Sequence, residues 1–266
     1  MIDVIQQQFA PGMPLPTRLN LAREFLQILC LKIMSDKKHF DHVAFLGGTA
    51  LRLLFGLRRF SEDLDFSITE SKGFDFTKMH EELTKGFQLF GFSVETKTRS
   101  VSAVQSIMLK FPSLLKELGL SPMKDQKLSI KWDLDTNPPK GEQAVLTILN
   151  KIYHFPVRHY DLPSLFAGKL HACFFRDYLK GRDWYDFVWY ISKGVKPNFL
   201  LLNNAIKQTE KTDLNLSDSN FKAFLLERIN QFDFKDLKRD VERFLDREES
   251  FIFDRALIQS TIDRTY

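Results

Sequence analysis

Apolar residues recur at helical spacing from Leu19 to Met34 (Leu21, Phe25, Ile28, Leu29, Ile33), which predicts an amphipathic helix leading in. Val43 to Leu46 is a short apolar run ending at Gly47-Gly48, the pattern of a buried strand entering a turn. Thr49 to Phe55 then predicts a short helix closed by Gly56. Asp63 to Ile68 alternates polar and apolar positions, as a half-buried strand does, and Phe76 to Phe90 reads as a helix stopped by Gly91. Further strands are expected at Phe92 to Arg99, Ala103 to Phe111, Lys127 to Asp135, Ala144 to Leu149 and Phe155 to Tyr160. The Lys127 strand has the clearest alternation: Leu128, Ile130, Trp132 and Leu134 on one face, Ser129, Lys131, Asp133 and Asp135 on the other.

From Asp161 the pattern turns helical. Asp161 with Pro163 is a start signal and Gly181 a stop signal, with a second helix over Asp183 to Ser192. Helical patterns follow at Phe199 to Gln208, Ser217 to Gln231, Phe234 to Leu245 and Phe251 to Ile262. The expected fold class is α/β (α+β): a mixed sheet with flanking helices, followed by a C-terminal helical domain. The expected boundary gives residues 1–160 as the α/β domain with its N-terminal helix. Residues 161–266 form the helical domain that completes a cleft. No repeat or low-complexity linker interrupts the pattern.

Composition adds limits. The 266 residues are 44% hydrophobic and 27% charged, within the range of globular proteins. No apolar run approaches the length that spans a bilayer, and Met1 to Gln8 lack a basic stretch followed by an apolar one. The expectation is a cytoplasmic protein without a membrane partner. Cys30 and Cys173 lie in apolar helical patterns and read as buried thiols, too few for a disulfide framework or a zinc site. A net charge of +4 permits a nucleic-acid partner without requiring one. The 26 phenylalanines read as core.

The chemistry concentrates at two places. A strand that ends in Gly47-Gly48-Thr49 and opens a helix presents backbone N–H groups to an anion. Alone, such a turn is usually only a turn. Asp63 and Asp65 change this, because residues two apart on a strand share a face, about 7 Å apart. Paired carboxylates on one face call for a cation, and Mg²⁺ is commonly held by one or two carboxylates plus substrate phosphates. Asp133 and Asp135 repeat the arrangement. Asp133 is the favoured third ligand; Asp135, close to Asn137-Pro138-Pro139, is expected to support the site from behind that ligand, with a strand-ending turn residue as the bland alternative.

The string GGTALRLLFGLRRFSEDLDFSI, Gly47 to Ile68, resembles the signature of the DNA polymerase beta-type nucleotidyltransferase superfamily, in its AbiEii/AbiGii toxin branch. The later string KLHACFFRDYLKGRDWYDF, Lys169 to Phe187, is similar to that branch's second signature. The resemblance spans about residues 40–195 and implies the polymerase beta-type sheet. It implies triphosphate binding by Gly47, Gly48 and Thr49, and metal binding (Mg²⁺ or Mn²⁺) by Asp63, Asp65 and Asp133. The third acidic position is often Glu in this family, and Ile130-Lys131-Trp132-Asp133 departs from that with a side chain one methylene shorter. The family's helical lysine falls on Lys169 and its acidic residue on Asp183 or Asp186, with Arg176 expected on the helix face of Lys169. The bland alternative for this second group is ordinary surface ion pairs.

Arg58 and Arg59 read either as contacts to pyrophosphate or acceptor, or as a solvated loop. The implied activity is transfer of a nucleotide from a nucleoside triphosphate to an acceptor hydroxyl, with release of pyrophosphate. The implied setting is a toxin–antitoxin pair, with tRNA as acceptor, a separately encoded antitoxin and, for some members, phage defence. Lys235, Lys238, Arg239 and Arg243 are compatible with RNA. The alternatives are nucleotidylation of a protein or small molecule, and a catalytically silent nucleotide-binding module.

Overall fold

The computed structural model describes residues 1–123, 125–176, 178, 180–232, 234, 240–241, 244–245 and 254–266. The chain divides into two units: residues 1–56, 60–137 and 145–159, and residues 57–59, 138–144 and 160–266.

The first unit carries a mixed sheet of β1 (Val43–Leu46), β2 (Leu64–Ile68), β3 (Glu95–Val101), β4 (Val104–Phe111), β5 (Leu128–Asp135), β6 (Ala144–Asn150) and β7 (His154–Tyr160). Its spatial order is β3-β4-β5-β2-β1-β7-β6. β1 and β2 run antiparallel, β2 and β5 parallel, and β4 pairs antiparallel with both β3 and β5. β2 and β5 therefore lie side by side although some sixty residues separate them in the chain. Two helices, α2 (Leu15–Asp36) and α4 (Phe76–Leu89), supply the core; a short α1 (Ile2–Gln6) precedes them, α3 (Gly47–Phe55) connects β1 toward β2, and a single turn, α5 (Leu114–Glu117), follows β4.

Alternation decides which face of the sheet is buried. Leu64, Phe66, Trp132 and Leu134 have almost no exposure, and Phe66 stacks on Trp132 at 4.8 Å between ring centroids. Trp132 also donates its indole N–H to Met34 Sδ of α2 at 3.4 Å. The α2–α4 contact needs a glycine: a Cβ on Gly86 would lie 2.6 Å from Ile33 Cγ2. With that face buried, the alternate residues of β2 and β5, the acidic ones among them, are turned to the other side.

In the second unit α6 (Leu162–Phe174) starts where expected, with Asp161 accepting the Ser164 N–H at 2.9 Å. It does not continue to Gly181. Phe175 leaves the helical region, and Gly181 instead opens α7 (Gly181–Ser192), its N–H held by the Asp240 carboxylate at 2.8 Å. Packing explains the early stop, because the Phe174 ring meets Trp184 at 5.4 Å and Phe187 at 5.5 Å, both on α7. Then come α8 (Phe199–Glu210), α9 (Phe221–Asn230) and α10 (Arg255–Thr265). Most of the helix expected over Phe234 to Leu245, the start of that at Phe251, and Lys235, Lys238, Arg239 and Arg243 lie outside the described residues.

The phenylalanines are mostly core, as read, and both cysteines are buried free thiols. No helix among the described residues is long and apolar enough to cross a membrane.

Candidate active site

In the first unit β1 passes directly into α3, which begins at Gly47, two residues before the expected start. Leu46, the N-cap, offers no side-chain acceptor, so the first backbone N–H groups of this helix have no side-chain cap. Gly47 sits at φ +80, and a Cβ built on it would fall 2.2 Å from Asp65 Oδ2. The turn thus requires glycine twice over, for its conformation and for the approach of a carboxylate. Thr49 is buried, and its hydroxyl donates to the backbone carbonyl of Asp63 at 2.5 Å. It ties the phosphate-type turn to the acidic strand.

Strand register sets the carboxylates in line. Leu46 lies opposite Asp65, and Asp65 opposite Asp133, so Asp65 and Asp133 project from one face on adjacent strands. Asp63 immediately precedes β2 and is the residue held by Thr49. Lys131 enters the group from β5, donating to Asp133 Oδ2 at 2.5 Å. That hydrogen bond, outweighing partial burial, raises the Lys131 pKa, and the charges of Asp133, Asp63 and Asp65 raise it further. Asp135 behaves as a turn residue, accepting the Asn137 N–H at 2.9 Å.

Asp133, Asp63 and Asp65 together bring three carboxylates near the Lys131 ammonium. Asp133 Oδ1 is buried without a hydrogen-bond partner, a costly state for a carboxylate oxygen in the absence of a cation. Among the described residues no three His, Cys, Asp or Glu side chains close into a metal cage. An open site does not need one, since Mg²⁺ binds through one or two carboxylates together with substrate phosphates and water. Asp65 and Asp133 in register, with an unpartnered oxygen on Asp133, fit such an ion.

The second signature forms its own cluster in the second unit. Lys169 lies between Asp183 Oδ1 at 2.6 Å and Asp186 Oδ2 at 2.8 Å. Arg176 falls beyond the end of α6 rather than on the helix face of Lys169, and reaches Asp183 Oδ2 at 3.0 Å. Arg59 grips Asp186 with two bonds of 2.6 Å, Nε to Oδ1 and Nη2 to Oδ2. Burial opposes charge on Asp183, yet Lys169, Arg176 and Arg59 hold its pKa down at about 2. Burial likewise disfavours the Lys169 ammonium, and Asp183 and Asp186 reverse that effect and raise its pKa.

The cluster is no set of surface pairs, because Asp186 is fully buried and Arg59 is 2% exposed. Among the described residues Lys169, Arg176 and Arg59 surround the two carboxylates, and Arg176 is the member most open to solvent. Arg59 is accordingly neither a solvated loop residue nor a free contact for ligand. Its partner lies 127 residues away, which no local pattern reveals. Lys131 was legible only as part of its string, its spacing of two from Asp133 being the one available signal.

A model of the AbiEii family, described as a nucleotidyl transferase toxin of type IV toxin–antitoxin systems, matches residues 29–257. Two solved structures share the fold. One is JHP933 from Helicobacter pylori, at 17% identity and a TM-score of 0.54, covering 92% of this chain and 91% of that one. The other is a candidate nucleotidyltransferase from H. pylori, at 18% identity and a TM-score of 0.54, covering 92% and 93%. No curated protein matches the chain.

Proposed function

Because the chain belongs to the AbiEii family of nucleotidyltransferase toxins, we propose that it transfers a nucleotide from a nucleoside triphosphate to an acceptor hydroxyl at Asp65 and Asp133. The observation that carries this reading is the register of Asp65 with Asp133, beside the Gly47 turn, with Asp133 Oδ1 left unpartnered.

In this reading the N–H groups at Gly47, Gly48 and Thr49 receive the triphosphate, assisted by the dipole of α3. Asp65 and Asp133, with Asp63 beside them, would hold a divalent ion, Mg²⁺ or Mn²⁺. When bound, that ion supplies Lewis-acid stabilisation of phosphate charge and acidifies the acceptor hydroxyl. The acceptor oxygen forms a bond to the α-phosphorus, the bond to the bridging oxygen breaks, and pyrophosphate leaves. The hydroxyl proton passes to water. Lys169, with Asp183, Asp186 and Arg176, is carried in this reading as a nucleotide-binding group because these residues make up the family-like second signature.

The family supports a separately encoded antitoxin as partner. We take tRNA as the acceptor, the cytoplasm as the compartment, and growth inhibition, in some settings phage defence, as the outcome.

The test incubates the purified chain with each labelled triphosphate, total RNA and cell lysate, with and without a chelator. Metal-dependent label on small RNA is expected. Label confined to protein bands would replace tRNA by a protein acceptor, and nucleotide binding without any transfer would identify a silent binding module.

A further inference from the structure

The row that contains the carboxylates does not end with them. Ser106 of β4 lies opposite Asp133, and Arg99 of β3 lies opposite Ser106, so Asp65, Asp133, Ser106 and Arg99 cross one face of the sheet in order. The neighbouring row runs Lys131, Met108, Lys97. Lys97 and Arg99 are exposed, and neither has an ion-pair partner among the described residues. They stand two apart on β3, about 7 Å along the strand, and Arg99 is two strands, about 10 Å, from Asp133.

The order of this row has a direction. The Gly47 turn lies on the β1 side of Asp65, while Lys97 and Arg99 lie on the far side of Asp133. In-line displacement puts the attacking hydroxyl opposite the departing pyrophosphate. If the triphosphate occupies the glycine side, the acceptor must approach over β4 and β3. An acceptor approaching there meets two uncompensated cations and the exposed apolar side chains Val101 and Val104. Cations at that spacing beside apolar surface match the alternating phosphates and bases of a single strand.

We propose that the open face of the β3–β4 hairpin is the acceptor track, and that it receives the single-stranded end of a nucleic acid. Lys97 and Arg99 hold phosphates one or two nucleotides behind the reacting hydroxyl. This inference rests on the nucleotidyl-transfer reading of the carboxylate site.

The test measures binding of a short labelled single-stranded RNA to the full chain by fluorescence anisotropy across a salt series. A non-hydrolysable nucleoside triphosphate is titrated separately. The variant Lys97→Gln/Arg99→Gln is expected to weaken RNA binding about tenfold and to reduce the salt slope by about 1.4, the value for two lost single-strand phosphate contacts. Its affinity for the triphosphate is expected to stay unchanged. Lys85→Gln, on exposed α4, is expected to alter neither. Wild-type RNA affinity and salt slope in the double variant, in a chain that still labels RNA, would overturn the track and leave the proposed transfer intact. Nucleotide transfer to protein alone, with no RNA bound, would overturn both the track and the RNA acceptor. Failure of the wild-type chain to bind triphosphate at all would instead remove the reading on which the track rests, and the track with it.

Discussion

Gly47 and Asp65 touch so closely that the first carbon of any side chain on Gly47 would occupy the space of an Asp65 carboxylate oxygen, 2.2 Å away. The turn and the acidic strand are one fitted piece, not two motifs that happen to be near each other.

Gly47→Ala should therefore push Asp65 aside and strain a backbone held at φ +80. A displacement on the order of 1 Å in a positioned group costs about a hundredfold in rate. We expect turnover to fall by about that factor or more, with secondary structure retained by circular dichroism. Turnover near wild type would show that Asp65 has room to move.

Asp133→Asn keeps the shape of the side chain and removes its charge. In the proposed role of Asp133, losing that carboxylate forfeits several kcal/mol of transition-state stabilisation, roughly a thousandfold in rate. The melting temperature should hold or rise, because like charges are relieved. Lys131→Met should act oppositely on metal: with its competing ammonium gone, Mn²⁺ affinity measured by calorimetry should rise about fivefold.

Arg59→Met would strand the fully buried Asp186 carboxylate beside a single remaining cation, Lys169. Breaking a buried pair from one side costs about 3–5 kcal/mol in unfolding free energy. The double variant Arg59→Met/Asp186→Leu should recover much of that loss in urea unfolding. Purely additive losses would mean the two residues are not coupled.

Acid should weaken the second unit through Asp183. Its pKa is lowered from the ordinary 3.8 to about 2, so its stabilising contribution is full above 3.8 and is lost as pH falls toward 2. The amount is about 2 kcal/mol for a side chain 11% exposed. Lys169 has the opposite sense, since its raised pKa gives a contribution present below 10.5 and lost only in strong alkali. Urea midpoints between about pH 5 and about pH 2 should drop for the wild type and stay flatter for Asp183→Asn.

Much of this was legible in the chain because it is local. The alternation of Leu128 to Asp135 gives both the strand and the face of Asp133, and the apolar run into Gly47 gives the turn. What escaped is non-local or set by packing. Arg59 looked like half of a loop pair, and its partner is defined only when α7 packs. Gly181 looked like a stop because glycine usually is one, whereas the aromatic contacts of Phe174 end that helix earlier. Periodicity also cannot say that β4 and β3 continue the carboxylate row, since register across strands is not written in either strand alone.

The parallel pairing of β2 with β5 also sets when the candidate site comes together during synthesis. A ribosome that has released residues 1–100 has already exposed Gly47, Asp63 and Asp65 in full, but β5 is still unmade. Loop closure over that distance is slow and unrewarded until the later strand arrives. A nascent or truncated chain therefore carries the Gly47 turn, Asp63 and Asp65 without Asp133 beside them. The row from Leu46 through Asp65 to Asp133 closes only after residue 135 has emerged.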